Sequence, residues 1–205
     1  MPSTARASAL RRSGMMSPVE KAIRYAAAAH AGVRRKGKNR PYILHPIEAM
    51  TIVGKLTDDE ELLAAAVLHD TLEDTTVTRE DLEREFGRRV ADLVASESED
   101  KRRGAAPADT WLARKQETVD HLRSAGRDVR LLCLADKLAN LRELARDHRE
   151  LGDGLWERFH QKDKAMHAWY YRSVCDAVEE EFGRTAEIRE YRELLREVFG
   201  GGAGK

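Results

Sequence analysis

A histidine and an aspartate stand side by side at His69 and Asp70, directly after the apolar run Leu62-Leu63-Ala64-Ala65-Ala66-Val67-Leu68. That run predicts a buried helix. Polar side chains at the end of a buried helix are costly unless something binds them. Imidazole and carboxylate are both ligands that divalent metal ions accept. The doublet therefore predicts a metal site that also holds a water molecule.

Two more residues do not fit their local patterns and can complete the ligand set. His45 follows a basic loop and precedes a helix, and Asp136 interrupts an otherwise apolar helix. Two histidines and two aspartates suit Mn²⁺, Fe²⁺ or Zn²⁺, with coordination positions left for water. A metal site of this kind lowers the pKa of the bound water and so prepares it for attack.

Two acidic residues, Glu73 and Asp74, lie four positions after His69 and Asp70. On a helix, that spacing places each acid one turn further along the same face. The acids would be near enough to orient or deprotonate a bound water. The alternative is that both are solvated acids at a helix end. Beside the His-Asp doublet, the catalytic interpretation is favoured.

Clustered cations upstream of His45 indicate a phosphate-binding loop. Arg34-Arg35-Lys36-Gly37-Lys38 offers several positive charges on a flexible segment, which suits a ligand with phosphate groups. The alternative is a solvated basic loop without a ligand. Lys137 follows Asp136 and is a further candidate substrate contact, although it could equally be a surface lysine.

Helices must position these residues, because the sequence shows helical periodicity and no convincing strand. Ser17-Pro18-Val19-Glu20 forms a capping box that opens the first helix. The expected class is all-α, a helical bundle of about nine or ten helices. The predicted helices cover residues 18–30, 46–55, a helix that begins at the acids of 58–61 and carries the doublet, 78–86, one ending at 94, 111–125, 129–141, 157–182 and 186–199.

The expected organisation is one helical core with a helical extension. Residues 1–17 are predicted to be a disordered tail, 18–150 the core, 151–199 C-terminal helices packed on it, and 200–205 a flexible glycine-rich tail. The Arg, Ser and Ala content of 1–17 leaves a targeting segment open. Aromatic residues concentrate between 156 and 171, where helical spacing favours core packing over a base-stacking surface.

Composition excludes several classes of function. The 205 residues contain 36 Lys and Arg against 36 Asp and Glu, so the basic excess of a duplex nucleic-acid binder is missing. No apolar run approaches the roughly 18–20 residues that span a membrane. Cys133 and Cys175 fall in apolar helical patterns, which predicts buried reduced thiols and a cytoplasmic protein. The expected partner is a small-molecule nucleotide; the oligomeric state stays open, with a homodimer as one alternative.

The motifs together resemble the HD-domain phosphohydrolases, and within them the hydrolase domain of the RelA/SpoT alarmone enzymes and their small stand-alone, Mesh1-like relatives. The resemblance covers residues 18–150. Many bifunctional alarmone enzymes have Thr where this chain has Glu143, an acidic residue that is more typical of the small hydrolases. The matching segments are His30-Ala31-Gly32-Val33-Arg34-Arg35-Lys36-Gly37, Pro41-Tyr42-Ile43-Leu44-His45-Pro46, Ala66 to Thr75, Glu99-Asp100-Lys101 and Leu134 to Arg142.

The resemblance implies an activity and a role for each candidate. The reaction would remove pyrophosphate from the 3′ position of guanosine tetraphosphate or pentaphosphate. Glu73 and Asp74 would activate the attacking water. One metal ion, Mn²⁺ in this family, would be bound by His45, His69, Asp70 and Asp136. The substrate would be contacted by the basic pair Arg35 and Lys36, and by Asn140.

Two rival functions stay open at this point. An HD enzyme for another phosphorylated nucleotide, such as NADPH, would use the same metal ligands and differ only in its pocket walls. A non-catalytic nucleotide-binding regulator could retain the fold. A pure binder has no need to activate water, so the presence of Glu73 and Asp74 argues against it.

Overall fold

Helices form all of the regular secondary structure in the part of the chain that the computed structural model describes, residues 16–35, 37–99, 102, 104 and 106–200. The predicted all-α class is confirmed; within these residues, Arg34 and Pro41 form an isolated β-bridge. The α-helices are α1 (Pro18–Ala29), α2 (Leu44–Val53), α3 (Glu60–Leu68), α4 (Thr71–Asp74), α5 (Arg79–Phe86), α6 (Arg88–Glu97), α7 (Pro107–Ser124), α8 (Arg127–Leu151), α9 (Lys164–Phe182) and α10 (Ala186–Phe199).

Two buried helices, α3 and α8, hold the predicted site residues. Residues 64–68 of α3 are all buried, and α3 packs against α1, α2, α6 and α8. The long helix α8 packs against α2, α3, α6, α7, α9 and α10. Because α3 ends at the His-Asp doublet and α8 carries Asp136, the contact between these helices determines where the site lies.

Arg89 joins the first turns of these two helices. Asp59 caps α3 by accepting hydrogen bonds from the backbone N–H groups of Glu61 and Leu62. Arg89 donates to the Asp59 carboxylate at 2.7 Å and to Asp128 in the first turn of α8 at 2.8 Å. The guanidinium therefore fixes the relative register of α3 and α8 at their N-terminal ends.

The His-Asp doublet lies in a break between α3 and α4, where the apolar pattern had predicted one continuous helix. α3 ends at Leu68, and the hydroxyl of Thr71 donates to the Leu68 carbonyl at 2.7 Å. The backbone N–H of Asp74 still donates to the Asp70 carbonyl at 2.9 Å. Side-chain hydrogen bonds therefore satisfy the interrupted backbone, and helical spacing is retained after the break.

The predicted helix over 157–182 begins later than expected. α8 ends at Leu151, and a 3₁₀ helix (Gly152–Arg158) follows; the φ of 57° at Gly152 suits a residue without Cβ. α9 starts at Lys164, where the Asp163 side chain accepts a hydrogen bond from the backbone N–H of Ala165. A capping aspartate therefore determined this boundary, rather than the aromatic periodicity.

Aromatic side chains of the C-terminal third pack together beside α7 and α8. Trp156 is 4% exposed and its ring lies near those of Phe159, His167 and Phe199. These contacts agree with the predicted core-packing role. The proposed domain boundaries remain predictions, and residues 1–15 and 201–205 of the two predicted tails lie outside the described residues.

Both cysteines are buried as free thiols. Burial raises the pKa of Cys133 well above its usual value and that of Cys175 to about 11. Among the described residues, no helix combines the length and apolar character needed to cross a membrane.

Truncation of a core leucine on α8 tests the packing. Leu131 is fully buried, so Leu131→Ala should lower the free energy of unfolding by about 2–5 kcal/mol through lost burial and a cavity. Leu112 is 49% exposed, and Leu112→Ala should change that free energy by less than about 0.5 kcal/mol. Urea denaturation followed by circular dichroism measures both; equal losses would contradict this packing.

Candidate active site

Four side chains from separate parts of the chain meet at the contact between α3 and α8. His45 Nε2 on α2 lies 2.9 Å from Asp136 Oδ1 on α8. His69 Nε2, just after α3, lies 3.0 Å from Asp70 Oδ2. The crossed distances, from His45 to Asp70 and from His69 to Asp136, are both 3.6 Å. The structure thus brings the four predicted metal ligands into one cluster; their assignment as ligands stays a prediction.

The hydrogen bonds of His69 indicate that a cation fits this cluster. Its Nδ1 lies 2.8 Å from the carbonyl of Ala66, an oxygen that can only accept. Nδ1 therefore donates a hydrogen bond to this carbonyl, and Nε2 is the ring nitrogen that lies beside the carboxylates. That Nε2 is buried and has no hydrogen-bond partner of suitable geometry, although carboxylate oxygens lie nearby. A divalent cation between these atoms would satisfy all of them.

The electrostatics of the cluster also favour positive charge. Although burial alone would lower it, the carboxylates of Asp70 and Asp136 raise the pKa of His69 well above its usual value. One donor atom from each of His45, His69 and Asp70 can be chosen so that all lie within 4.8 Å of one another. Nitrogen and carboxylate oxygen donors in this number suit a first-row divalent metal.

The cluster opens into a cavity of about 450 Å³. Glu73 and Asp74, predicted to activate water, both line it beside Asp70. The lining also includes the predicted substrate contacts Arg35, Lys137 and Asn140. Lys36, the remaining predicted contact, lies outside the described residues.

Lys137 is an internal cation rather than a surface lysine. Its side chain is 17% exposed, and its ammonium group donates a hydrogen bond to Asp136 Oδ2. Asn140 donates from Nδ2 to the other oxygen of Asp136, at 2.6 Å. The carboxylate of Asp136 is therefore oriented by two neighbours on its own helix.

Tyr42 is a site residue that sequence reasoning did not assign. Its hydroxyl donates to Asp70 Oδ2 at 2.6 Å and lies 3.0 Å from Asp74 Oδ2. Burial and these two carboxylates raise the pKa of Tyr42, so the side chain stays a neutral phenol. Its position three residues before His45 was a usable signal, because the intervening turn brings both residues to the same cavity.

Glu99, to which sequence reasoning also assigned no role, links Glu73 to α7. The backbone N–H of Glu99 donates to Glu73 Oε2 at 3.3 Å. The Glu99 carboxylate accepts from Lys115 at 2.6 Å and also from Arg114. Although burial alone would raise it, these cations lower the pKa of Glu99, while burial raises the pKa of neighbouring Glu97 to about 7. Local spacing carries no signal for these contacts, since they join segments about fifteen residues or more apart.

An all-helical domain with a His/Asp cluster beside a cavity lined by polar residues is typical of HD domains. The family model described as "HD domain" matches residues 22–157. The chain belongs to the HD-domain family, in its Mesh1-like branch, and the predicted membership is confirmed.

Two vertebrate relatives support that placement. The chain is 40% identical over 128 residues to guanosine-3′,5′-bis(diphosphate) 3′-pyrophosphohydrolase MESH1 of Danio rerio, an alignment covering 60% of this chain and 67% of the relative. Identity to the enzyme of the same name from Xenopus tropicalis is 39% over 129 residues, or 61% and 68% of the two chains. A GTP pyrophosphokinase of Myxococcus xanthus is 35% identical over 63% of this chain but only 17% of its own length.

Solved structures agree with the fold. A metazoan ortholog of SpoT that hydrolyses ppGpp superposes with a TM-score of 0.69 at 26% identity, covering 90% of this chain and 97% of the other. A Listeria monocytogenes protein superposes with a TM-score of 0.66 at 29% identity, covering 82% and 100%.

The cluster predicts a measurable affinity for divalent metal. Adding Mn²⁺ to metal-stripped protein should raise its melting temperature, because the ion binds the folded state. His69→Ala should abolish most of that rise, since it removes a donor whose geometry is already fixed. His121→Ala is the matched control, because His121 lines the cavity but lies outside the cluster. An unchanged rise in His69→Ala would contradict the assignment.

Proposed function

We propose that this protein is a divalent-metal-dependent hydrolase that removes the 3′-pyrophosphate from guanosine 3′,5′-bis(diphosphate), or the corresponding pentaphosphate, to give GDP or GTP and pyrophosphate. The observation that carries the proposal is that His45, Asp70 and Asp136 of the cluster line one cavity together with the acidic pair and Arg35. The pyrophosphohydrolase relatives, at 40% and 39% identity, support the choice of substrate.

The metal would be held by His45, His69, Asp70 and Asp136. We propose Mn²⁺, with Fe²⁺ or Zn²⁺ as alternatives, because two imidazoles and two carboxylates form a set of nitrogen and oxygen donors without thiolate. When bound, the ion supplies Lewis-acid stabilisation of phosphoryl charge and acidifies water.

Glu73 and Asp74 activate the attacking water. These carboxylates line the cavity beside Asp70, where they can take a proton from the attacking water. The water oxygen forms a bond to the phosphorus nearest the ribose, and the bond from that phosphorus to the ribose 3′-oxygen breaks. The 3′-oxygen keeps the electron pair of that bond and takes up the proton that the carboxylates removed from water, and pyrophosphate departs. The N–H of Glu99 orients the Glu73 carboxylate for its part in this step.

The substrate phosphates require cations, and the cations that line the cavity include Arg35 and Lys137. A guanidinium group suits phosphate because its N–H donors form a planar fork. Asn140 would contact the nucleotide, and Lys36 would add charge beside Arg35. We also propose a cytoplasmic location, because both buried cysteines are free thiols, as in a reducing compartment.

Turnover of the nucleotide tests the function directly. Protein stripped of metal by chelator should be inactive, and Mn²⁺ should restore release of GDP and pyrophosphate from guanosine tetraphosphate. NADPH is assayed in parallel, because an HD enzyme of another nucleotide would use the same metal ligands. Absence of guanosine tetraphosphate turnover with Mn²⁺, Fe²⁺ and Zn²⁺ would refute the proposal.

Substitution of the acidic pair separates catalysis from metal binding. Glu73→Gln and Asp74→Asn should each lower kcat by about 10²–10⁴-fold, because the amide cannot accept the proton from water. Metal content per chain should stay unchanged, since neither residue belongs to the cluster. Glu117→Gln, a change of another cavity-lining acid, is the control and should keep kcat. Full activity in both Glu73→Gln and Asp74→Asn would exclude the assigned role.

A further inference from the structure

The loop between α1 and α2, residues 30–43, is attached to α8 by ion pairs. Glu143 accepts from Arg35 Nε at 2.9 Å and from Arg35 Nη2 at 2.5 Å. The other oxygen of Glu143 lies 3.0 Å from the ammonium group of Lys38. Lys38 also donates to Asp147 at 2.5 Å. Two acids, one turn apart on α8, therefore hold two cations of the loop, Arg35 and Lys38.

We propose that Glu143 is a positioning residue for substrate binding, which docks this loop against α8 and fixes the orientation of Arg35 at the cavity wall. The ligand concerned is a polyphosphate, and that part of the inference rests on the proposed function. Glu143 itself does not line the main cavity; it lines a smaller pocket on the other side of Arg35. Its effect on substrate is thus transmitted through Arg35.

The hydrogen bonds of Arg35 explain how the orientation is fixed. Nε and Nη2 donate to Glu143, and Nη2 also donates to Asn140 Oδ1 at 2.8 Å. Among the described residues, Nη1 has no hydrogen-bond partner. A planar guanidinium that is held along one edge keeps the remaining donors in a fixed direction. These donors are available for a phosphate oxygen without further ordering of the side chain.

The pair is ionised and mostly shielded from water. Although burial alone would raise it, Arg35 and Lys38 lower the pKa of Glu143 to about 2. The side chains of Arg35 and Glu143 are 18% and 15% exposed. Loss of one partner would leave the other as an uncompensated, partly buried charge, which favours displacement of the loop.

Glu143 also has a second effect, which would weaken substrate binding rather than support it. Its negative charge weakens the attraction between Arg35 and an anionic substrate, so removing it would tighten binding if charge alone mattered. Two substitutions separate these effects. Glu143→Gln removes the charge but keeps one acceptor oxygen for Arg35, whereas Glu143→Ala removes both. Two donors of Arg35, Nε and Nη2, are held by one oxygen of Glu143, which favours positioning as the larger effect.

Steady-state kinetics with Mn²⁺ and guanosine tetraphosphate test the role. Glu143→Ala should raise KM about tenfold with kcat within about twofold, and Glu143→Gln should raise KM less. In an Arg35→Ala background, Glu143→Ala should change KM no further. Glu190→Ala is the matched control, because Glu190 accepts two hydrogen bonds from Arg142 of α8 at 2.6 and 2.7 Å, outside the cavity lining. A lowered KM in either Glu143 variant, or additive effects in the double variant, would overturn the proposal.

Hydrogen exchange of the free protein tests the docking without any substrate. The N–H groups of Arg35 and Tyr42 donate within the loop, to Arg40 and Val33, both at 3.0 Å. Their exchange should accelerate several-fold in Glu143→Ala and stay at the parent rate in Glu190→Ala. Unchanged exchange in Glu143→Ala would refute the docking role. An inactive parent protein would refute the proposed function instead, while the exchange rates would still decide whether Glu143 docks the loop.

Discussion

The burial of two carboxylates, Asp70 and Asp136, beside two histidines is the constraint on which the site depends. Carboxylates in an apolar interior are stable only when positive charge or hydrogen-bond donors surround them. Lys137 and Asn140 on α8 donate hydrogen bonds to Asp136, and the hydroxyl of Tyr42 donates one to Asp70. The Nε2 atoms of His45 and His69 lie within 3.6 Å of oxygens of Asp70 and Asp136. A divalent cation held among these atoms would supply the positive charge that the two carboxylates attract.

The break between α3 and α4 lets the His-Asp doublet leave the apolar helix while its backbone stays hydrogen-bonded. If the helix continued, the doublet would lie on the same apolar cylinder as residues 64–68. At the break, His69 donates to the carbonyl of Ala66 and Thr71 donates to that of Leu68, so the interrupted backbone keeps its partners. The short helix α4 then carries Glu73 and Asp74 to the cavity. The same few side-chain hydrogen bonds thus end one helix and position the acids.

Sequence patterns predicted most of the helices and the four residues of the cluster, because these signals are local. Ser17 and Thr78 form the capping boxes that their spacing indicates. The helix break at the doublet contains no Gly or Pro and depends on side-chain bonds, so periodicity missed it. Contacts such as Glu99 with Lys115 join distant segments whose approach depends on tertiary packing. Roles that depend on such contacts could not be assigned from spacing.

One signal for such a contact was nevertheless present on α8. Asp136, Asn140, Glu143 and Asp147 recur at intervals of four, three and four residues, which places them along one face of the helix. Asn140 donates to Asp136 and accepts from Arg35. An ionised carboxylate can only accept hydrogen bonds and a guanidinium can only donate them, and the amide of Asn140 satisfies both from one side chain. That face therefore links the His/Asp cluster to the loop, and displacement of Arg35 would leave the amide of Asn140 without one of its partners.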